Sequence, residues 1–287
     1  MKQQITVTED DGVVRIDKFL AMKFPEYSRA AIAKLFTLKL IKRKGESLRA
    51  GEKIRPGTEI EFDLGPLQAK PEVIPLPVIY EDKDVVVVNK PAGIISHARG
   101  KFWQEASVAS FIRDKISGMD GERGGIVHRL DRATSGTMIC AKNQATLSLL
   151  QKQFHDRKVS KTYIAIVNGR LKHEKATIEA PIARDLKDPK RFMVTEDGKA
   201  STTDYEVTAT SDGYSKVKLM PKTGRTHQLR LHLKLIGKII VGDELYGGEE
   251  APRLMLHANS LSITLPDGKV HEFESPLPEE FERYVGQ

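Results

Sequence analysis

The sequence predicts an α+β protein. It is read as a mixed domain over residues 78–287, preceded by a small α/β unit over residues 13–64 and a linker over residues 65–77. Two observations carry this. After residue 78, helical and strand-like patterns follow one another irregularly, without the steady alternation of a doubly wound parallel sheet. Before it, Pro66, Pro71, Pro75 and Pro77 crowd one short stretch, too proline-rich for a helix or a central strand and read as a semi-rigid extended linker. A chain of 287 residues accommodates about two ordinary domains.

In the small unit, Ile16, Phe19 and Leu20 recur at helical spacing within Arg15 to Phe24. Ser28 is a good N-cap for a second helix, with Ile32, Leu35 and Phe36 on one face. Strand-like pieces follow at Leu40-Ile41 and Glu59 to Phe62, around turn signals at Lys44-Gly45 and Pro56-Gly57. In the larger domain, Val85 to Val88 reads as a buried strand, and Ala106 to Ile116 and Asn143 to Phe154 as helices. Lys161 to Val167, Thr202 to Ala209 and Ser215 to Met220 read as strands. Thr226 to Ile236 returns to helical spacing and Gly237 can cap it.

The composition, 39% hydrophobic and 30% charged, is that of a globular chain with enough length to bury a core. The net charge of +7 favours polyanionic partners, nucleic acid first among them. Residues 13–64 hold 12 Lys or Arg against 7 Asp or Glu, so much of the excess lies there. The single cysteine, Cys140, excludes an intrachain disulfide, and its apolar setting suggests a buried, inert thiol. Met1 to Gly12 has no apolar core of a signal peptide, and no apolar run approaches the roughly 18 residues of a membrane span. A cytoplasmic protein with no membrane partner is the expectation.

Four polar segments stand out. His128 to Gly136 (HRLDRATSG) sets Asp131 between Arg129 and Arg132, which would hold its carboxylate ionised, and Thr134-Ser135-Gly136 can form a tight turn beside it. On these residues alone, a structural ion-pair loop fits as well as a catalytic acid. Lys222 to His232 places Arg225 where a glycine turn enters a helix, a setting that favours anions but also suits simple capping by Thr223 or Thr226. His227 and His232 are five apart and do not share a helix face as metal ligands would. Asn89 to Gly93 is a turn after a buried strand, and Lys161-Thr162-Tyr163 opens another strand.

Together, and in this order, these segments resemble the RluA-type pseudouridine synthases. The family pattern H-R-L-D-x-x-T-S-G is matched in full by residues 128–136. Asn89 to Gly93, Lys161-x-Tyr163, Gly224 to His232, Gly242-Asp243 with Tyr246-Gly247, and Leu256-His257-Ala258 resemble its other motifs. The likeness covers residues 78 to 280, and residues 13–64 resemble, more loosely, the S-four-type RNA-binding domain. Departures are Ala98 after His97 where proline is usual, Ser107-Val108 for Thr-Leu, Arg123-Gly124-Gly125 for Arg-Pro-Gly, and Lys44-Gly45 for an Asn-Gly turn. They bear on the loop near Gly100 and on the small domain, not on the catalytic positions.

The resemblance implies a catalytic domain of pseudouridine synthase type with a largely antiparallel sheet. It implies isomerisation of uridine in structured RNA, which needs no cofactor and no metal. Asp131 takes the position of the catalytic aspartate, acting at the anomeric carbon of a flipped-out nucleotide. Arg225 takes that of an arginine pairing with it, Tyr163 of an aromatic stacking on the base, and Leu229 of an apolar wall. Arg129 takes that of the residue filling the vacated space, while His128, Arg132 and Thr134 flank the substrate in the same loop. The implied partner is large-subunit ribosomal RNA first and transfer RNA second, bound by a monomer. Two other readings stay open: a non-catalytic RNA-binding or ribosome-assembly protein, and a nucleoside glycosidase needing a second pocket carboxylate, for which Asp243 is the residue to inspect.

Overall fold

The computed structural model describes residues 2–69, 72–98, 105–119, 123–211 and 213–285. The chain divides near residue 71 into two units. In the smaller, the elements in chain order are β1 (Lys2–Thr6), β2 (Val14–Arg15), α1 (Ile16–Lys23), α2 (Arg29–Thr37), β3 (Ile41–Arg43), β4 (Glu46–Ser47), β5 (Lys53–Ile54) and β6 (Glu59–Asp63). A four-stranded antiparallel sheet runs β1-β6-β3-β4, and β2 pairs with β5. Ile16, Phe19 and Leu20 from α1 and Ile32 and Leu35 from α2 meet Ile41, Ile60 and Phe62 in one core, the faces that their spacing predicts. Ser28 caps α2, its Oγ accepting from Ala31 N at 3.2 Å. Lys44 and Gly45 both take positive φ, 49° and 82°, so the β3–β4 turn forms in the geometry that an Asn-Gly pair favours.

Two features differ from the sequence expectation. The strand Lys2–Thr6 lies ahead of the boundary expected at residue 13, and its mostly exposed polar residues carry no alternating apolar signal. The proline-rich stretch opens with a short helix, α3 (Gly65–Gln68), rather than extended chain. Pro66 sits in its first turn, where the missing N–H has no intrahelical partner to lose. Residues 70 and 71 of that stretch lie outside the described residues, as does the loop at Gly100.

The larger unit holds β7 (Val78–Glu81), β8 (Val85–Lys90), α4 (Val108–Ile112), β9 (Ser135–Ala141), α5 (Gln144–His155), β10 (Ser160–Asn168), β11 (Lys175–Glu179), β12 (Ile182–Arg184), β13 (Phe192–Val194), β14 (Thr202–Thr210), β15 (Tyr214–Pro221), α6 (Gln228–Leu235), β16 (Leu256–Thr264), β17 (Val270–Glu274) and α7 (Glu282–Val285). Nine strands form one sheet, ordered β11-β14-β15-β10-β16-β9-β8-β7, with β17 also pairing with β16. Every pairing in it is antiparallel except β16 with β9. The mixed, largely antiparallel sheet matches the expected class. Val85 to Val88 are fully buried in it, and the thiol of Cys140 is buried too, its pKa pushed up to about 12 by that burial. Asn143 caps α5 through Thr146 N at 2.9 Å. The helix expected over 106–116 is shorter: Ser107 caps α4, and a turn of 3₁₀ helix over Arg113–Lys115 ends the run.

The parallel junction positions the site. His257 pairs with Ser135, and Ala258 with Gly136 on one side and Tyr163 on the other. Gly136 has φ 118°, and a Cβ there would fall within 2.2 Å of Ala258 O, so only glycine allows this approach. A register shift between Thr162 and Tyr163 marks a β-bulge, a device that re-aims a side chain.

Candidate active site

The loop entering β9 carries Asp131. Its turn is closed by Thr134 N donating to Asp131 O at 3.1 Å, while Ser135 and Gly136 already belong to β9 rather than to the expected tight turn. The loop is clamped to residues 90–96. Gly93 N donates to Arg132 O at 2.8 Å, and Ser96 Oγ both donates to Leu130 O (2.8 Å) and accepts from Leu130 N (3.0 Å). The fully buried Lys90 donates to Pro91 O, Ile94 O and Arg132 O at 2.9, 2.8 and 3.4 Å. Burial lowers the Lys90 pKa to about 7, against the pull of Asp131. The Asn89–Gly93 segment thus fixes the loop from behind.

On the other side, the turn before α6 is tied by Gln228. Its Oε1 accepts from Thr223 Oγ1 (2.8 Å) and Arg225 N (3.0 Å), and its Nε2 donates to Thr202 O and Thr203 Oγ1. His227 caps α6 in the left-handed region with φ 57°. Its Nδ1 lies 2.7 Å from Tyr246 Oη and its Nε2 lies 3.8 Å from Asp131 Oδ2. Burial lowers the His227 pKa against the opposing pull of Asp131. Behind it, Arg230 and Asp243 form a buried bidentate pair at 2.8 and 2.6 Å, and the guanidinium lies over the Tyr246 ring.

A cavity of about 110 Å³ opens here, several times the roughly 10–15 Å³ that one water requires. Asp131, Thr134, Tyr163, Arg225, Leu229 and Arg129 line it, drawn from three separate stretches of sequence. Arg129 is exposed and, among the described residues, makes no hydrogen bond or ion pair. Burial, and then Asp131, push the Tyr163 phenol pKa up, so the hydroxyl keeps its proton at neutral pH.

Three expectations are corrected. Asp131 and Arg225 do not pair; Arg225 Nε donates to Ala200 O at 3.2 Å, and His227 is the basic side chain within 4 Å of the carboxylate. Arg132 points away from the cavity, binding both carboxylate oxygens of Glu105 and Gly93 O. His128 lies outside this cavity, on the wall of a neighbouring one: its Nε2 accepts from Ile139 N at 3.1 Å and its ring stacks on Phe154. The sequence reading missed His227 and Lys161 as cavity residues. It weighed His227 for metal chemistry alone, and the alignment with Asp131 arises only when α6 meets the β9 loop. Asp243, spent on Arg230, is not a second pocket carboxylate. Among the described residues no three His, Cys, Asp or Glu converge as metal ligands would.

The fold and this cavity define an RNA-modifying enzyme of the pseudouridine synthase class. The family model for RNA pseudouridylate synthase matches residues 84–235. The chain is 38% identical over 299 residues, spanning 98% of itself and 91% of the relative, to "Ribosomal large subunit pseudouridine synthase D" of Borreliella burgdorferi. It is 40% identical over 299 residues, covering 99% and 92%, to an uncharacterised RNA pseudouridine synthase of Chloroflexus aurantiacus. Among solved structures, human RNA pseudouridylate synthase domain containing 1 superposes with a TM-score of 0.60 at 31% identity, covering 72% of this chain and 86% of that one. The chain belongs to the RNA pseudouridine synthase family, of RluA type, and is an enzyme that isomerises uridine in RNA.

Proposed function

We propose that the chain converts uridines of structured large-subunit ribosomal RNA to pseudouridine, with Asp131 acting at the anomeric carbon of a nucleotide flipped into the cavity. The observation that carries this is the convergence of Asp131, Tyr163, Arg225 and Leu229 on one cavity beside Arg129, whose side chain has no partner among the described residues. Ribosomal RNA as the substrate is supported by the names of relatives from Borreliella burgdorferi and Nitrosomonas europaea, both called ribosomal large subunit pseudouridine synthases.

The reaction breaks the bond from C1′ to N1 and forms one from C1′ to C5, with no net oxidation. Asp131 supplies the carboxylate at the sugar. The Tyr163 ring lies along the uracil, a contact that tolerates in-plane turning better than directional hydrogen bonds do. C5 gives up its proton and N1 gains one, so the isomerisation balances, and the Tyr163 hydroxyl, which keeps its own proton, takes part in the transfer at the sugar or at C5 as a relay, giving one proton as it takes another. Leu229 closes the apolar wall, and Arg225 contributes positive charge at the rim. Extruding the base costs a few kcal/mol, and the exposed Arg129 guanidinium can stack and hydrogen-bond in the space left behind. Residues 13–64, read as an S-four-type RNA-binding domain, supply phosphate contacts with little sequence reading.

The test is site-mapped nucleoside mass spectrometry on unmodified ribosomal and transfer RNA carrying isotope-labelled uridine. Wild type should form pseudouridine in large-subunit ribosomal RNA and Asp131→Ala should form none. Equal conversion by both proteins would remove Asp131 from the chemistry; conversion of transfer RNA alone would reassign the substrate.

A further inference from the structure

A second cavity, of about 410 Å³, borders the first across Arg129, which lines both. It lies between the segment 123–129 and the first two turns of α5. Its size falls in the range of ligand sites, roughly 300–1,000 Å³. Nothing in the chemistry at Asp131 uses it. Two guanidiniums, Arg123 and Arg129, stand exposed at its edge, and neither makes a hydrogen bond or ion pair with its side chain among the described residues. Met119, Ile126 and Leu147 give it an apolar wall. Gln144 and Gln151 add side-chain amides at its margin, and no described lining residue is acidic.

His97 also lines this cavity, and its Nδ1 is buried with no hydrogen-bond partner. Buried polar groups are rarely left so, and an orphan at a cavity wall calls for a partner. Burial, with Arg123 and Arg129 nearby, lowers the His97 pKa to about 4. The ring is therefore neutral at physiological pH and offers one donor and one acceptor.

We propose that this second cavity receives the nucleotide adjoining the target uridine on the same RNA strand, its phosphate held between Arg123 and Arg129 and its base seated against Met119, Ile126 and Leu147. The inference rests on the first cavity being the uridine site. If the target nucleotide is drawn in beside Asp131, the phosphodiester joining it to its neighbour must pass close to Arg129, the shared wall. Paired arginines suit a bridging phosphate, whose oxygens accept from both forks. A base beyond it finds an apolar wall to lie on, as single-stranded bases do on protein platforms. His97 and the amides of Gln144 and Gln151 are the groups that can read its edge. The absence of a carboxylate among the described lining residues fits a binding subsite, with no reaction at the second nucleotide.

The experiment measures KM and kcat separately for wild type, Arg123→Ala, Arg123→Lys and Leu147→Trp, on unmodified large-subunit ribosomal RNA made by transcription. Leu147 lines the second cavity and not the first, so the tryptophan is directed at the second alone. The expected result is a KM raised tenfold or more in Arg123→Ala and Leu147→Trp, partly restored in Arg123→Lys, with kcat within twofold of wild type. A KM within twofold of wild type in Leu147→Trp overturns the inference. So does a fall in kcat at unchanged KM, which is the mark of a reduced folded fraction. Wild-type protein that forms no pseudouridine in this RNA overturns the ribosomal reading itself, and this inference with it.

Discussion

His227 Nε2 faces Asp131 Oδ2 across 3.8 Å, and Tyr246 Oη anchors the opposite ring nitrogen at 2.7 Å. Tyr246 is itself fixed, accepting from Phe192 N at 3.0 Å, and its single hydroxyl proton has two acceptors in reach, Phe192 O at 3.2 Å and His227 Nδ1. When that proton goes to Nδ1, the Nε2–H is turned toward the carboxylate, and at 3.8 Å it acts on Asp131 as an electrostatic neighbour, not as a hydrogen-bond donor. Replacing His227 with Asn should lower kcat by about ten- to a hundredfold, below the span of a full acid–base group. KM should stay near wild type if the ring acts through the carboxylate and not on the RNA. Tyr246→Phe should show a smaller loss of the same kind. Single-turnover kinetics of pseudouridine formation check both, and an unchanged kcat in His227→Asn would remove the histidine from the site.

The Arg230–Asp243 pair should matter to stability through its burial. Both side chains are almost wholly withdrawn from solvent, so removing one leaves the other charge uncompensated. Asp243→Ala is expected to cost about 3–5 kcal/mol, read as a lowered midpoint in urea unfolding. The double replacement Arg230→Met with Asp243→Leu should recover part of that loss, since it leaves no orphan charge.

Acid should weaken the larger unit through His128. Its pKa is lowered to about 3, by burial first and then by Lys161, and its Nε2 must stay unprotonated to accept from Ile139 N. The unfolded chain, with an ordinary histidine near 6.5, binds the proton more readily than the folded one between about pH 6.5 and 3. The stabilisation is therefore complete above pH 6.5 and is lost as the pH falls through that window, by up to about 1.4 kcal/mol per pH unit for one proton. Thermal unfolding of wild type and His128→Gln from pH 7 to pH 4 should show a shallower decline in the variant.

The small basic unit should be felt through salt. If it engages phosphates, deleting residues 1–70 should weaken binding of ribosomal RNA and flatten the slope of log affinity against log salt, by roughly 0.7–0.9 for each phosphate that the deletion leaves unneutralised. Fluorescence anisotropy over a salt series measures this. Equal slopes for the two proteins would assign the phosphate binding to the catalytic unit.

Sequence pattern revealed those elements whose signals are local. The cap Ser28 and the apolar faces of α1 and α2 lie within single segments and emerge where their spacing places them. The strand Lys2–Thr6 was hidden because its partner, Glu59–Asp63, is distant in sequence and its own residues are polar. The short helix at Gly65 was hidden because proline was read as a breaker where it acts as a starter. In the site, the motif order pointed to Asp131, Thr134, Tyr163, Arg225 and Leu229, and the fold brings them to one cavity. Motif membership alone could not separate Arg129, which faces that cavity, from His128 and Arg132, which brace the loop. Side-chain direction is set by the β9 junction and by Glu105 and Ile139, none of which local sequence reveals.

The parallel contact between β9 and β16 also sets a timetable. Asp131 and Tyr163 are brought together only when Ala258 lies between Gly136 and Tyr163, so the cavity does not exist in any shorter nascent chain. A chain emerging from the ribosome can form the small unit and the β7–β8 hairpin early, from residues close in sequence. Asp131, by contrast, meets Tyr163 only after residue 258 has been made. The cavity is thereby completed by β16, the strand that joins β9 to β10.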